Sequence, residues 1–346
     1  WEKEFEKREQ YIYIPEVKKK ISLILACYKD NQSIPIMYER IIKSLETIKV
    51  DYEIIFVNDG SPANDEEEIY KLCLKDNKVI GISHTRNFGS QSAFISGMEI
   101  ARGDAVILFD GDGQDPPELI SEFIKKWEEG YEVVYGERIK REAPLYMQFF
   151  YKLFYRIFSK LSDIKIPVDA GDFSLMDKKI YKKIVEFSEK DIFIRGLRAW
   201  VGGTQIGIPY IRGERLFGRS TNNFFKNIWW AKKGIFSFSM KPLYYIQSIG
   251  IILFIITLLL TIFYLTMYFL KPPINAKGTT TIILLILGIG SFQIIAISIL
   301  GDYIAKIIEE TKNRPKFIRN KILHNGKKYE TEEEIKKFIN DYSKYV

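Results

Sequence analysis

The sequence predicts an α/β domain on a parallel sheet, followed near its C-terminus by two helices able to cross a membrane. Three observations carry this reading. Short apolar runs alternate with helical patterns over residues 21–110, as in doubly wound sheets. Each apolar run ends abruptly in polar residues, and in such sheets ligands bind beyond the carboxyl ends of the strands. Residues 243–270 and 279–300 hold no Asp, Glu, Lys or Arg, and about 20 apolar residues span a bilayer.

Residues 1–20 form a charged, aromatic arm ending in three lysines, with no role assigned. Ile21–Tyr28 (ISLILACY) reads as a buried parallel strand. A helical pattern covers about 34–48. Glu53–Val57 is a second strand, ending at Asn58-Asp59-Gly60-Ser61. A charged helix covers about 64–75, Val79–Ser83 is a third strand and Ser90–Ala101 a helix. Ala105–Phe109 is a fourth strand, and it runs straight into Asp110-Gly111-Asp112. Cys27 and Cys73 suggest no disulfide framework.

Tyr146–Leu161 places aromatic and aliphatic residues at helical spacing beside a row of Lys152, Arg156 and Lys160. This suits a helix lying in a membrane interface, with a helix packed on the sheet as the plainer alternative. Residues 226–242 mix aromatic and basic residues in the same way and read as a juxtamembrane helix. Only KPPINAKG parts the two apolar stretches, so they form a hairpin (243–305) with both flanks on one side. Lysines and arginines crowd those flanks, which predicts an integral plasma- or inner-membrane protein with both termini cytoplasmic. The net charge of +7 is read as attraction to an anionic membrane face rather than to nucleic acid. Residues 306–346 read as a polar cytoplasmic tail, with Thr331 and Glu334 as a capping box opening a last helix.

Two carboxylates two residues apart at a strand end repel each other, and burying either alone is costly. A divalent cation removes both problems. Oxygen ligands favour Mg²⁺ or Mn²⁺, which take one or two carboxylates and complete their shell with substrate phosphates. With two histidines in the chain, a histidine-based zinc site is not expected.

Taken together, YKD at 28–30, NDGS at 58–61, TRNFG at 85–89, ARGD at 101–104, DGDGQDPPEL at 110–119, GYEVVYGER at 130–138, DAGDF at 169–173, FIRGLRAWVG at 193–202, RLFGRS at 215–220 and GDYIAKIIEETKNRP at 301–315 carry a resemblance. In these blocks the chain resembles glycosyltransferase family two enzymes of the polyprenyl-phosphate type, which include bactoprenol glucosyltransferases and dolichyl-phosphate mannose synthases. The resemblance implies a GT-A catalytic domain over 21–225. It implies transfer of a hexose from a nucleotide sugar to a polyprenyl phosphate with inversion, UDP-glucose ranking before UDP-N-acetylglucosamine and GDP-mannose. Asp110 and Asp112 would bind the metal and the diphosphate, with Gln114 nearby. Asp30 and Asp59 would contact the nucleoside, and Arg86 the nucleotide sugar. Arg138 would hold the acceptor phosphate, with Lys152 and Arg156. Arg215 and Ser220 would close over the donor. Asp172 matches the carboxylate assigned as base. Ala26, Lys29, Asn58 and Gly113 stand where the family commonly has proline, asparagine, aspartate and leucine.

A general base is needed when the nucleophile must lose a proton. A phosphate monoester has its second ionisation at about 6, so near neutral pH it is mostly a dianion. Chemistry therefore predicts that Asp172 positions groups rather than taking a proton. A processive polysaccharide synthase or a non-catalytic scaffold for lipid-sugar export are the alternatives, and a homo-oligomer is left open.

Overall fold

The computed structural model describes residues 19–48, 50–139, 167, 170–217, 237–270 and 278–343. The arm at 1–18, most of the expected interface helices, Lys152, Arg156 and Ser220 lie outside the described residues.

Strands β1 (Lys20–Cys27), β2 (Asp51–Asn58), β3 (Val79–His84) and β4 (Ala105–Asp110) pair in parallel in the order β3-β2-β1-β4. Between them come helices α1 (Ser33–Glu46), α2 (Asp65–Lys75) and α3 (Ser90–Ile100). Seven of the eight residues of β1 are buried, as expected of a strand covered on both faces. Side chains alternate between faces. Leu23 and Leu25 meet α1, α2 and α4 (Ile120–Glu128), whereas Ile24 and Ala26 meet α3.

Beyond β4 the direction changes. β6 (Ala170–Asp177) pairs antiparallel with β4, β5 (Val133–Arg138) antiparallel with β6, and β7 (Gln205–Tyr210) parallel with β5. The start of β6 and the ends of β4, β5 and β7 therefore share one edge. Helices α5 (Lys178–Glu186) and α6 (Ile194–Val201) cover the face that α3 also covers.

Helices α7 (Lys241–Leu270) and α8 (Thr279–Thr311) are long and apolar enough to cross a membrane. Leu259, Ile294 and Ile297 point outward, each more than half exposed, where a core helix would bury them. The base of α8 is tied to the sheet domain. Glu310 accepts the backbone N–H groups of Lys190 and Asp191 at 3.0 and 3.3 Å, and Lys306 pairs with Asp191. Tyr303 donates to the Ser239 carbonyl at 2.6 Å, just before α7.

The segment expected as a separate polar tail is partly built into the sheet. β8 (Arg319–His324) pairs antiparallel with β3, β9 (Lys327–Tyr329) pairs with β8, and α9 (Glu332–Ser343) packs against α3. Ile322 and Leu323 are fully buried, and the Tyr342 hydroxyl donates to buried Glu53 at 2.8 Å. Two buried apolar residues in a polar stretch are too few to read as a strand before β3 is known to need an edge partner. The capping box at Thr331 and Glu334 forms, with reciprocal contacts of 3.3 and 3.1 Å.

Candidate active site

The carboxyl edge of the sheet gathers an acidic half and a basic half. β4 delivers Asp110 and Asp112 on a turn that needs its glycines. A Cβ on Gly111 would lie 2.8 Å from the Cys27 sulfur. Gly113 has φ +77°, a left-handed conformation that a leucine would strain. Asp112 accepts the Gln114 N–H at 3.1 Å. Asp115 lies buried behind them and accepts the Tyr210 hydroxyl at 2.9 Å. Asp30, at the end of β1, accepts the Tyr28 N–H at 2.9 Å.

The segment after β7 crosses this turn. Gly213 N–H donates to the Gln114 carbonyl and Leu216 N–H to the Asp112 carbonyl, both at 3.3 Å. Arg212 lies 3.1 Å from Asp110 and 3.7 Å from Asp115. Arg215 lies 3.3 Å from Asp30 and 3.6 Å from Asp112. Two guanidiniums thus face four carboxylates. Burial pushes the Asp30 carboxyl up to about 6, against the pull of the Tyr28 N–H and Arg215. Burial and the neighbouring carboxylates also raise Asp110, and burial raises Asp115.

β6 delivers Asp172. The register pairs Leu108 with Ser174, and two more steps set Asp172 opposite Asp110. The next residue, Phe173, points to the other face and packs against Phe109 and Phe123, with ring centroids 4.9 and 4.7 Å apart. Asp172 is 8% exposed. Its two oxygens accept the Nε and Nη2 hydrogens of Arg195, each at 3.0 Å. Arg198, one turn along α6, is fully buried over the Tyr135 ring. Arg138, from the end of β5, reaches Gly171 and Tyr210. Burial alone would raise the Asp172 carboxyl, but Arg195, Arg198 and Arg138 outweigh it and hold it below its usual value.

Asp59 is 2% exposed and engaged inside the fold. It accepts Phe88 N–H and Gly89 N–H at 2.9 and 2.7 Å and faces His84 Nδ1 at 2.9 Å. It shapes the loop that displays exposed Arg86. Asn58 accepts the Ser61 N–H at 3.0 Å, a turn-forming contact that its amide makes as well as a carboxylate. Sequence reasoning passed over Asp115, Arg195, Arg198 and Arg212. Their signals were Asp115 inside DGQD, and arginines three apart in RGLR and RGER.

The model of glycosyl transferase family 2 matches residues 22–185. A bactoprenol glucosyl transferase of Shigella flexneri prophage SfII is 36% identical over 87% of this chain and 98% of its own. The chain belongs to glycosyl transferase family 2. Within that family, the uncharacterized glycosyltransferase YkcC of Bacillus subtilis is 38% identical over 87% of this chain and 93% of its own. Among solved structures, a mannosyltransferase of Pyrobaculum calidifontis aligns with a TM-score of 0.46 at 14% identity, covering 87% of this chain and 89% of that one. The glycosyltransferase has the family's GT-A-like mixed sheet, with its two arginine-carboxylate groups at the edge where the parallel strands end.

Proposed function

We propose that this glycosyltransferase moves a hexose from a nucleotide sugar, UDP-glucose in the first instance, to a polyprenyl phosphate at a membrane surface, with inversion. The carrying observation is the division of one sheet edge into an acidic half around Asp110 and Asp112 and a basic half around Asp172. The relatives named for bactoprenol and the two apolar helices support a lipid acceptor.

Asp110 and Asp112 are suited to a Mg²⁺ or Mn²⁺ ion shared with the donor's diphosphate. Such an ion takes one or two carboxylates and completes its shell with substrate oxygens. Burial raises the Asp110 and Asp115 carboxyls, Asp110 also through its neighbouring carboxylates, and a bound cation would oppose that rise. When bound, the ion would offset charge on the leaving diphosphate. Arg212 and Arg215, now resting on the carboxylates, are placed to turn onto those phosphates, while Asp30 meets the nucleoside side of the donor. Arg138 receives the acceptor. An oxygen of the acceptor's phosphate dianion attacks the anomeric carbon. The bond from that carbon to the diphosphate breaks, and its electron pair leaves with the nucleoside diphosphate. No proton need move.

In orientation, the sheet domain and both chain ends face the cytoplasm, and residues 271–277 face the opposite side. A cysteine placed at Asn275 should be labelled only from that opposite side; labelling from the cytoplasm overturns the hairpin. For the reaction, purified protein receives UDP-glucose, UDP-N-acetylglucosamine or GDP-mannose with undecaprenyl phosphate and Mg²⁺. Mass spectrometry should find a hexosyl-phosphoryl-polyprenol. Sugar released as free hexose, with the lipid unmodified, would overturn the acceptor.

A further inference from the structure

The Asp172–Arg195 pair is chemically odd for a base. Both carboxylate oxygens are occupied by one guanidinium in a parallel fork, and such charge-assisted forks are among the stronger hydrogen bonds. Taking a proton would require giving up that fork. Around the carboxylate stand Arg195 and Arg198 from α6 and Arg138 from β5, while Asp110 from β4 faces it. Asp115 adds a further negative charge toward Arg195.

Arg195 has donors to spare. A guanidinium carries five N–H groups; two go to Asp172, and the other three have no partner among the described residues. Its side chain is 33% exposed where that of Asp172 is 11%, so part of this guanidinium stays open to a ligand beside a carboxylate that is nearly closed off. Behind it, Arg198 is 0% exposed, and its Nε, Nη1 and Nη2 have no hydrogen-bond partner among the described residues. A cation buried in this way is costly unless negative charge stands close by. Asp172 supplies some, and an anion held on Arg195 would supply more. Finally, α6 is fixed to the bases of the two apolar helices. The stretch before it is held by Glu310 and Lys306 of α8. A Cβ on Gly196 would strike Phe238, three residues before α7, at 2.2 Å.

We propose that Arg195 is a ligand of the acceptor's phosphate, that Asp172 is the positioning residue that aims it, and that Arg198 is the buried charge supporting both. This rests on the polyprenyl-phosphate reading above. The phosphate dianion meets Arg195 and Arg138 with its own oxygen as nucleophile, and Asp172 stays ionised throughout.

The test uses full-length protein in detergent, with Arg195→Ala, Arg195→Lys, Asp172→Ala, Asp172→Asn and the double Asp172→Ala/Arg195→Ala. Steady-state rates are measured against undecaprenyl phosphate and nucleotide sugar separately, and donor binding at equilibrium checks the fold. Arg195→Ala should raise the acceptor KM about ten- to a hundredfold, the range of a lost charge-assisted contact, with donor affinity within about twofold. Arg195→Lys should recover little, because an ammonium cannot fork to Asp172 and phosphate together. Asp172→Asn should keep clearly more activity than Asp172→Ala, with a pH–rate profile shaped like that of the wild type. Adding Asp172→Ala to Arg195→Ala should cost little more, since the two act as one unit. The proposal is overturned if the acceptor KM holds in both Arg195 variants, or if the losses at 172 and 195 multiply. It is also overturned if Asn and Ala at 172 are equally inactive with both affinities intact. Wild-type protein that makes no lipid product would instead sink the acceptor reading itself.

Discussion

Asp110 and Asp172 are the same residue type on neighbouring strands, both facing one cleft, yet their surroundings push them in opposite directions. Asp110 stands among Asp112, Asp115 and Asp172, and Arg212 does not offset the rise that burial and these carboxylates impose on its carboxyl. Asp172 is ringed by three arginines, and its carboxyl is lowered. Neighbouring charge, rather than burial alone, decides what each buried carboxylate can do. One that is raised has burial and neighbouring carboxylates outweighing its arginine, and a cation arriving with a ligand would ease it. One that is lowered already has its cation, and is a poor place to look for a base at neutral pH.

The largest expected effect comes from removing charge where it is meant to meet a ligand. Asp112→Asn should cut turnover by about a thousandfold or more with the fold intact, measured as lipid product formed in Mg²⁺; near-normal turnover would break the acidic half of the comparison. Phe173→Ala tests whether Asp172 is aimed by its neighbour's packing. It should cost about 3–5 kcal/mol of stability, read by thermal or denaturant unfolding.

Two changes sharpen the contrast. Asp30→Asn should stabilise the protein by an amount of order 2 kcal/mol at pH 7, while weakening donor binding. The sign follows from the raised value of about 6. The fold prefers the protonated carboxyl, so the ionised group costs stability at neutral pH. That cost fades as pH falls through about 6, where Asp30 itself takes up a proton. Melting curves should therefore separate the two proteins clearly at pH 7.5 and much less at pH 4.5, the difference vanishing only below the ordinary carboxylate value of about 4. Arg198→Met replaces a buried cation that has no hydrogen-bond partner among the described residues with an apolar side chain. Stability should hold or rise, while use of the acceptor falls about tenfold. A drop in stability with unchanged kinetics would make Arg198 a structural residue only. The smallest effect concerns Lys29, which takes φ +62° next to Asp30. Lys29→Gly should relieve about 1 kcal/mol of strain, visible as a small rise in Tm with little kinetic change.

Much of this fold was legible along the chain. ISLILAC and AVILF are continuous apolar runs because their strands are covered on both faces, and α7 and α8 announce themselves by lacking charge. The tail strand was not legible, because β8 buries little and its partner β3 lies some 240 residues earlier. The acidic half could be read from spacing, since Asp110 and Asp112 end a strand together. The basic half could not. Asp172 meets Arg195 only because β6 runs back antiparallel along β4 and α6 returns over it. Nothing in GDF or RGLR alone says that these residues are partners. Asp59 shows the converse, a residue read from its motif whose carboxylate is spent inside the fold on the loop at 84–89.

If the two halves of the cleft serve different substrates, binding of each substrate to a variant of each half will show it. Nucleotide-sugar affinity in Mn²⁺ and the affinity for a short-chain polyprenyl phosphate would be measured by calorimetry on wild type, Asp112→Asn and Arg195→Ala. The prediction is a crossed pattern, in which Asp112→Asn loses the nucleotide sugar and keeps the lipid phosphate, while Arg195→Ala does the reverse. If both variants weakened the same substrate to a similar extent, the division of the cleft would be contradicted.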